Sequence, residues 1–202
     1  MSDQNTAQNA LLPDWNNPAV LSRNRIPPRA YTVQFPDYAQ CAASRQKNRR
    51  YDSPYVLMLN GEWEFRYCPH PADVPTMQNL QHQRLDPVVV PSCWQTTGYD
   101  RLQYVNIRNP FPGDPPYVPY ENPVGIYRKT VRMPLHVRGM RKRIHFHGVS
   151  SAFHLYVNGR LIGYSEGSHL PAEFDITSML HEGDNDILVF VYKYSTGSWL
   201  ED

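Results

Sequence analysis

Between Pro91 and Gly125 the chain places prolines at positions 110, 112, 115, 116, 119 and 123, a spacing that excludes any helix or central strand. Each proline ring fixes φ and removes a backbone donor, and the residue before it is pushed toward extended geometry. The stretch therefore reads as a stiff, polyproline-like ribbon. Compact domains rarely carry so long an irregular segment unless it binds something or packs against a partner. Trp94, Tyr99, Tyr104, Phe111, Tyr117 and Tyr120 punctuate it, beside Gln95, Asp100, Asn106, Asn109 and Asn122. Flat rings next to short amides and carboxylates suit a polyhydroxylated ligand, because rings stack on C–H faces while amides bond hydroxyls. The plainer alternative is a rigid crossover whose rings cover a β-sandwich, and composition alone favours it.

The segments that follow Tyr55 supply the strands of such a sandwich. In Leu57 to Tyr67 the residues alternate, with Trp63, Phe65 and Tyr67 on one face and Glu62, Glu64 and Arg66 on the other. Asn60-Gly61 supplies a turn just before them, and Val88 to Val90 is long enough for a short buried strand closed by Pro91. After the ribbon, Tyr127, Val131 and Met133 share one side of a strand, and Arg128, Thr130 and Arg132 the other. Asn158-Gly159 tolerates the positive φ of a type I′ turn and marks a hairpin. Asp175 is placed to cap a short helix that Gly183 ends. The run from Ile187 is apolar on both faces through Val191, so it should be a central strand covered on both sides. Short strands with frequent turns predict an all-β antiparallel sandwich over residues 51–202. Residues 1–50 show no sustained periodicity and read as an extended, irregular, mobile arm. Trp15 within it should dock on a surface of this chain or a neighbour.

The totals narrow the function. At 202 residues the chain fits one full-sized domain with an arm, and a net charge of +1 without a concentrated basic face argues against nucleic acid as the partner. The polar opening ten residues lack the apolar core of a signal peptide, and no window is apolar enough to span a membrane. Cys41, Cys68 and Cys93 are odd in number and widely spaced, which suits a reducing, cytoplasmic compartment. His145 and His147 share a strand face, with His154 beyond a turn. Three histidines could hold zinc, but Arg143 lies on the same face and no Cys or carboxylate completes a set, so surface histidines are the expectation. Glycoside hydrolysis needs two carboxylates about 5 to 10 Å apart. Asp100, Asp114 and Glu121 near the ribbon form no evident pair, and Glu201 and Asp202 stand at the frayed end. No catalytic residue is therefore assigned to this chain.

Several runs resemble the amino-terminal portion of bacterial β-galactosidases of glycoside hydrolase family 2. They are W-N-N-P from Trp15, L-N-G-E-W-E-F from Leu59, V-V-V-P-S-C-W-Q from Val88, G-Y-D from Gly98 and Y-V-N-I from Tyr104. D-P-P-Y-V-P-Y-E-N-P-V-G from Asp114, G-V-S-S-A-F-H-L-Y-V-N-G from Gly148 and S-T-G-S-W-L-E-D from Ser195 extend the likeness over nearly the whole chain. The resemblance implies a jelly-roll sugar-binding domain, with a further sandwich strand beyond Asp202. It implies that the catalytic glutamates sit in a separate TIM barrel of the same enzyme, which hydrolyses terminal β-D-galactosides such as lactose with retention. By motif, Asn106 would bond galactosyl hydroxyls, and Asp202 would contact the sugar and help hold a sodium ion. Magnesium and sodium are implied for the complete enzyme, which would be a homo-oligomer. A free-standing carbohydrate-binding module, or an assembly domain without catalysis, remains the rival reading.

Overall fold

A computed structural model describes residues 13–47, 49, 51–103 and 111–200. The strands are β1 (Ser22–Arg23), β2 (Gly61–Cys68), β3 (Asp86–Val90), β4 (Val124–Arg132), β5 (Arg143–Phe146), β6 (Ala152–Val157), β7 (Arg160–Glu166), β8 (Ala172–Asp175) and β9 (Asp184–Tyr192). Two short helices join them, α1 (Tyr38–Gln46) and α2 (Met77–His82). A seven-stranded antiparallel sheet runs in the order β1-β7-β6-β9-β4-β2-β3, and β5 pairs with β8 in a second, two-stranded sheet.

Strand β9 explains the layering. It lies between β4 and β6 and pairs with both. Ile187, Val189 and Val191 face one way, into a core shared with Trp63 and Phe65 of β2, Ile144 of β5 and Phe174 of β8. This is the filling between the two sheets of the sandwich. Leu188, Phe190 and Tyr192 face the other way, where Trp15, Leu80 of α2 and Val118 of the ribbon cover them. Both faces of the strand are thus apolar because both are covered, as its sequence requires. The hairpin between β6 and β7 turns at Asn158 and Gly159, with φ of 51° and 75°, the pair of positive values a type I′ turn needs.

Other expectations need correction. The Val88 run is an edge strand, bonded to β2 alone among the described strands; Val88 points into the core while Val89 is 62% exposed. Pro87 in the same strand lacks the donor a central position would demand. Asn60-Gly61 does not turn the chain; Gly61 opens β2 at a positive φ of 109°. Asp175 accepts from the backbone N–H of Thr177 at 2.9 Å, but only a short 3-10 turn follows, not an α-helix.

The described part of the arm is neither irregular throughout nor separate from the sandwich. Trp15 is buried and stacks on Tyr192 with ring centroids 4.4 Å apart. β1 adds to the edge of β7, and the Ile26 N–H donates to the Glu173 carbonyl. α1 is capped by Asp37, whose carboxylate accepts from Gln40 N–H at 2.8 Å. Only Ser44 of α1 is buried, so the helix carries no apolar stripe for a sequence pattern to reveal.

Candidate functional site

The first residue of β4, Val124, pairs with the last residue of β9, Tyr192. Antiparallel pairing therefore delivers two loops to the same end of the sheet: the end of the ribbon entering β4, and the segment leaving β9. Lys193 N–H donates to the Pro123 carbonyl at 3.0 Å. Asn122 is fully buried, and its side chain bonds both backbone groups of Tyr194, accepting from its N–H at 2.9 Å and donating to its carbonyl at 2.7 Å. A short amide that mimics a strand partner in this way locks the two loops together.

Further side-chain contacts cross the same seam. Lys193 Nζ lies 2.5 Å from Asp100 Oδ2, both largely withdrawn from water. Burial would raise the Asp100 carboxyl, but Lys193 and the Arg101 backbone N–H together hold the group below its usual range. The Tyr194 hydroxyl donates to Gln103 Oε1 at 2.5 Å. Phe111 meets Tyr194 edge-on at 4.7 Å and Trp199 at 5.0 Å, and Trp199 Nε1 donates to the Tyr117 carbonyl. The ribbon's rings thus divide by role. Trp94 lies beside Phe65 and packs directly over Gly125, where a Cβ would fall 2.4 Å from its ring. Tyr99 packs there as well, while Tyr117 and Tyr120 stay exposed at 49% and 70%. Covering the core is what Trp94 and Tyr99 do; among the described rings of the ribbon, Tyr117 and Tyr120 offer the open faces for stacking.

Two buried carboxyls stand close to this end and carry no sequence signal beyond their motifs. Glu166, at the end of β7, accepts from Thr196 Oγ1 at 2.9 Å and from the Tyr164 hydroxyl at 3.2 Å. Burial pushes its carboxyl up, and the hydrogen bonds from the turn after β9 only partly offset that. Asp14 accepts a two-pronged pair from Arg23 at 2.6 and 2.8 Å and faces His154 Nε2 at 3.1 Å. Burial would raise it, but Arg23 and His154 together hold it far below the ordinary carboxylate range. His154 is fully buried and its other nitrogen meets the Tyr192 hydroxyl at 2.9 Å. The expectation of a surface histidine fails for His154, because β6 is covered on both faces. His145 and His147 lie elsewhere, on β5 and just beyond it, with ring centroids 4.6 Å apart and Glu173 Oε1 at 3.1 Å from His145 Nδ1. Among the described residues no group of three or more His, Cys, Asp or Glu side chains is arranged to hold a metal ion. The three cysteines are free, and no described helix is long and apolar enough to cross a membrane.

The expected sugar contacts Asn106 and Asp202 lie outside the described residues, as does Glu201. The residues beside them do not: Gln103 and Phe111 flank Asn106, Trp199 and Leu200 precede Asp202, and contacts around Tyr194 join the two groups. Of the ribbon's other acids, Asp100 is paired with Lys193, and Asp114 bridges to Tyr117 through the backbone.

Residues 56–202 match the pattern of the glycosyl hydrolases family 2 sugar binding domain. The chain belongs to that family. A β-galactosidase of Alteromonas mediterranea is 42% identical over 199 aligned residues, which cover 94% of this chain and 18% of that protein. The family 2 domain described here therefore spans less than a fifth of that relative. Among solved structures, β-glucuronidase of Bifidobacterium dentium is 26% identical over 66% of this chain and 19% of its own, with a TM-score of 0.48. A β-D-mannosidase from Dictyoglomus thermophilum is 24% identical over 68% of this chain and 15% of its own, with a TM-score of 0.46.

Proposed function

We propose that this family 2 domain is the sugar-binding portion of a β-galactosidase that hydrolyses terminal β-D-galactosides such as lactose with retention at the anomeric carbon. The observation that carries the reading is the 42% identity to a β-galactosidase across 94% of the chain. The acid and the nucleophile, both glutamates, belong to a TIM barrel in the remainder of the enzyme, and this portion positions the sugar. Asn106 has two donors and two acceptor lone pairs to offer a galactosyl hydroxyl. Asp202 supplies a carboxylate, a hard oxygen donor of the kind sodium prefers, for the ion as well as for the sugar. The flanks of both residues meet around Tyr194, which supports one shared site. The complete enzyme is a homo-oligomer dependent on magnesium and sodium. Free cysteines, one of them buried, support a cytoplasmic location.

The test is made in the complete enzyme that carries this chain. There a sugar hydroxyl bonded to Asn106 loses its partner in Asn106→Ala, which should lower kcat/KM for a chromogenic β-galactoside by about 1 to 3 kcal/mol. An unchanged kcat/KM would remove Asn106 from the site.

A further inference from the structure

The 3-10 turn Thr196–Trp199, which follows β9, is gripped at each end. Thr196 Oγ1 donates to Glu166 Oε1 at 2.9 Å, and Trp199 Nε1 donates to the Tyr117 carbonyl at 3.0 Å. Both grips belong to stretches of backbone that the arm pins. Glu166 N–H donates to the Leu21 carbonyl at 3.2 Å. Val118, next to Tyr117, is buried, and its N–H donates to Asn16 Oδ1 at 2.8 Å. Between those contact points the arm is folded on itself. Asn17 N–H donates to the Asp14 carbonyl at 3.1 Å, and Val20 N–H to the Asn17 carbonyl at 2.9 Å. The arm's own hydrogen bonds therefore set the separation of its contacts with the ribbon and with β7. It is also closely seated, since a Cβ at Gly163 of β7 would fall 2.3 Å from the Arg23 carbonyl oxygen. Lifting the arm would strip the partners from the Glu166 and Val118 N–H groups, and a buried donor left unpaired costs more than a made bond contributes.

We infer that the arm is a strap on this end of the sheet: docked, it holds the Thr196–Trp199 turn through Glu166 and through the ribbon at Tyr117 and Val118, and released, it lets the turn open. The turn has little to hold it by itself. Ser198 N–H donates to the Ser195 carbonyl and Leu200 N–H to the Gly197 carbonyl, each at 2.9 Å, and one 3-10 turn is too short to persist alone in water. Coupling of this kind is reciprocal. Whatever fixes the turn also favours the docked arm, and whatever draws the arm away loosens the turn.

Hydrogen exchange in the complete protein that carries this chain tests it, read at the Ser198 and Leu200 amides. Asn16→Ala removes the acceptor of Val118 N–H and leaves the turn's own residues untouched. It should speed exchange at both amides about three- to tenfold, the worth of one hydrogen bond in a local opening. The amides of the β4–β9 ladder should exchange as before, which shows that the fold is intact. Asn16→Asp keeps an acceptor for Val118 and should exchange like the wild type. Thr196→Val with Trp199→Phe removes both grips and should speed exchange on its own. In that background Asn16→Ala should add almost nothing, because the arm has no grip left to act through. Unchanged exchange in Asn16→Ala would overturn the inference. So would an increase that spreads equally over the β4–β9 ladder, or one that persists undiminished once both grips are gone.

Discussion

Trp15 and Tyr192 stand near opposite ends of the described chain and stack face to face, with planes 18° apart. Only 7% of Trp15 remains exposed, and an indole of that size removed from water is a large apolar contribution. Trp15→Ala should therefore cost about 3 to 5 kcal/mol of unfolding free energy, read by urea denaturation of the 202-residue chain. A loss below about 1 kcal/mol would mean that the arm contributes nothing to the fold. The sequence could require Trp15 to leave water, but hydrophobicity has no address, and nothing local to position 15 names position 192. His154 shows the same limit from the other side. Beyond a turn from His145 and His147 it was expected at the surface, yet neighbours far apart in sequence, Asp14 and Tyr192, decide its environment. Asn158-Gly159 was legible, because a type I′ turn depends on the two residues that form it.

At the scale of the element, the arm is tied down by two arrangements built alike. Asp14 is held by Arg23 and His154, and Glu173 of β8 is held by Arg29 at 2.8 and 2.7 Å and by His145. The first is buried and sets an acid limit. Burial lowers the His154 pKa from its ordinary 6.5, more than Asp14 restores. The unfolded chain therefore takes up a proton first, and the stability held above pH about 6.5 declines as pH falls through the folded value. Asp14, depressed from its ordinary 3.8, adds stability that is present above that pH and is lost below it by the same rule. The wild-type chain should thus lose Tm between pH 7 and pH 5 beyond what His154→Gln loses, since a glutamine amide can face Asp14 and Tyr192 without titrating. Parallel Tm curves for the two proteins would refute the account. The arm's α1 escaped sequence reading for a physical reason. A helix with one buried residue has no amphipathic period, and only its Asp37 cap announced it.

For the whole molecule, the sandwich was largely readable, since apolar alternation reports which faces are covered and β9 reported both. The sugar contacts proposed at Asn106 and Asp202 rest on resemblance and lie outside the described residues, although the loop before β4 and the loop after β9 meet through the pairing of those two strands. This portion offers no positioned pair of carboxylates among its described ribbon residues, with Asp100 committed to Lys193. The isolated chain should accordingly show no turnover of a chromogenic β-galactoside above a mock-purified control, and galactose should bind it no better than millimolar, roughly 4 kcal/mol. Micromolar binding would favour a free-standing carbohydrate-binding module instead. The position of β9 has a mechanical consequence as well. Tension applied to the chain beyond Trp199 pulls along a strand laddered to β4 on one side and β6 on the other, so both ladders are loaded in shear and must yield together. Tension applied ahead of Ser22 first meets Trp15 and Asp14, held on Tyr192 and His154, and then a two-residue strand at the sheet's rim, contacts that yield in turn rather than together. The domain is a coupling that resists as one piece at its tail and gives way in steps at its head.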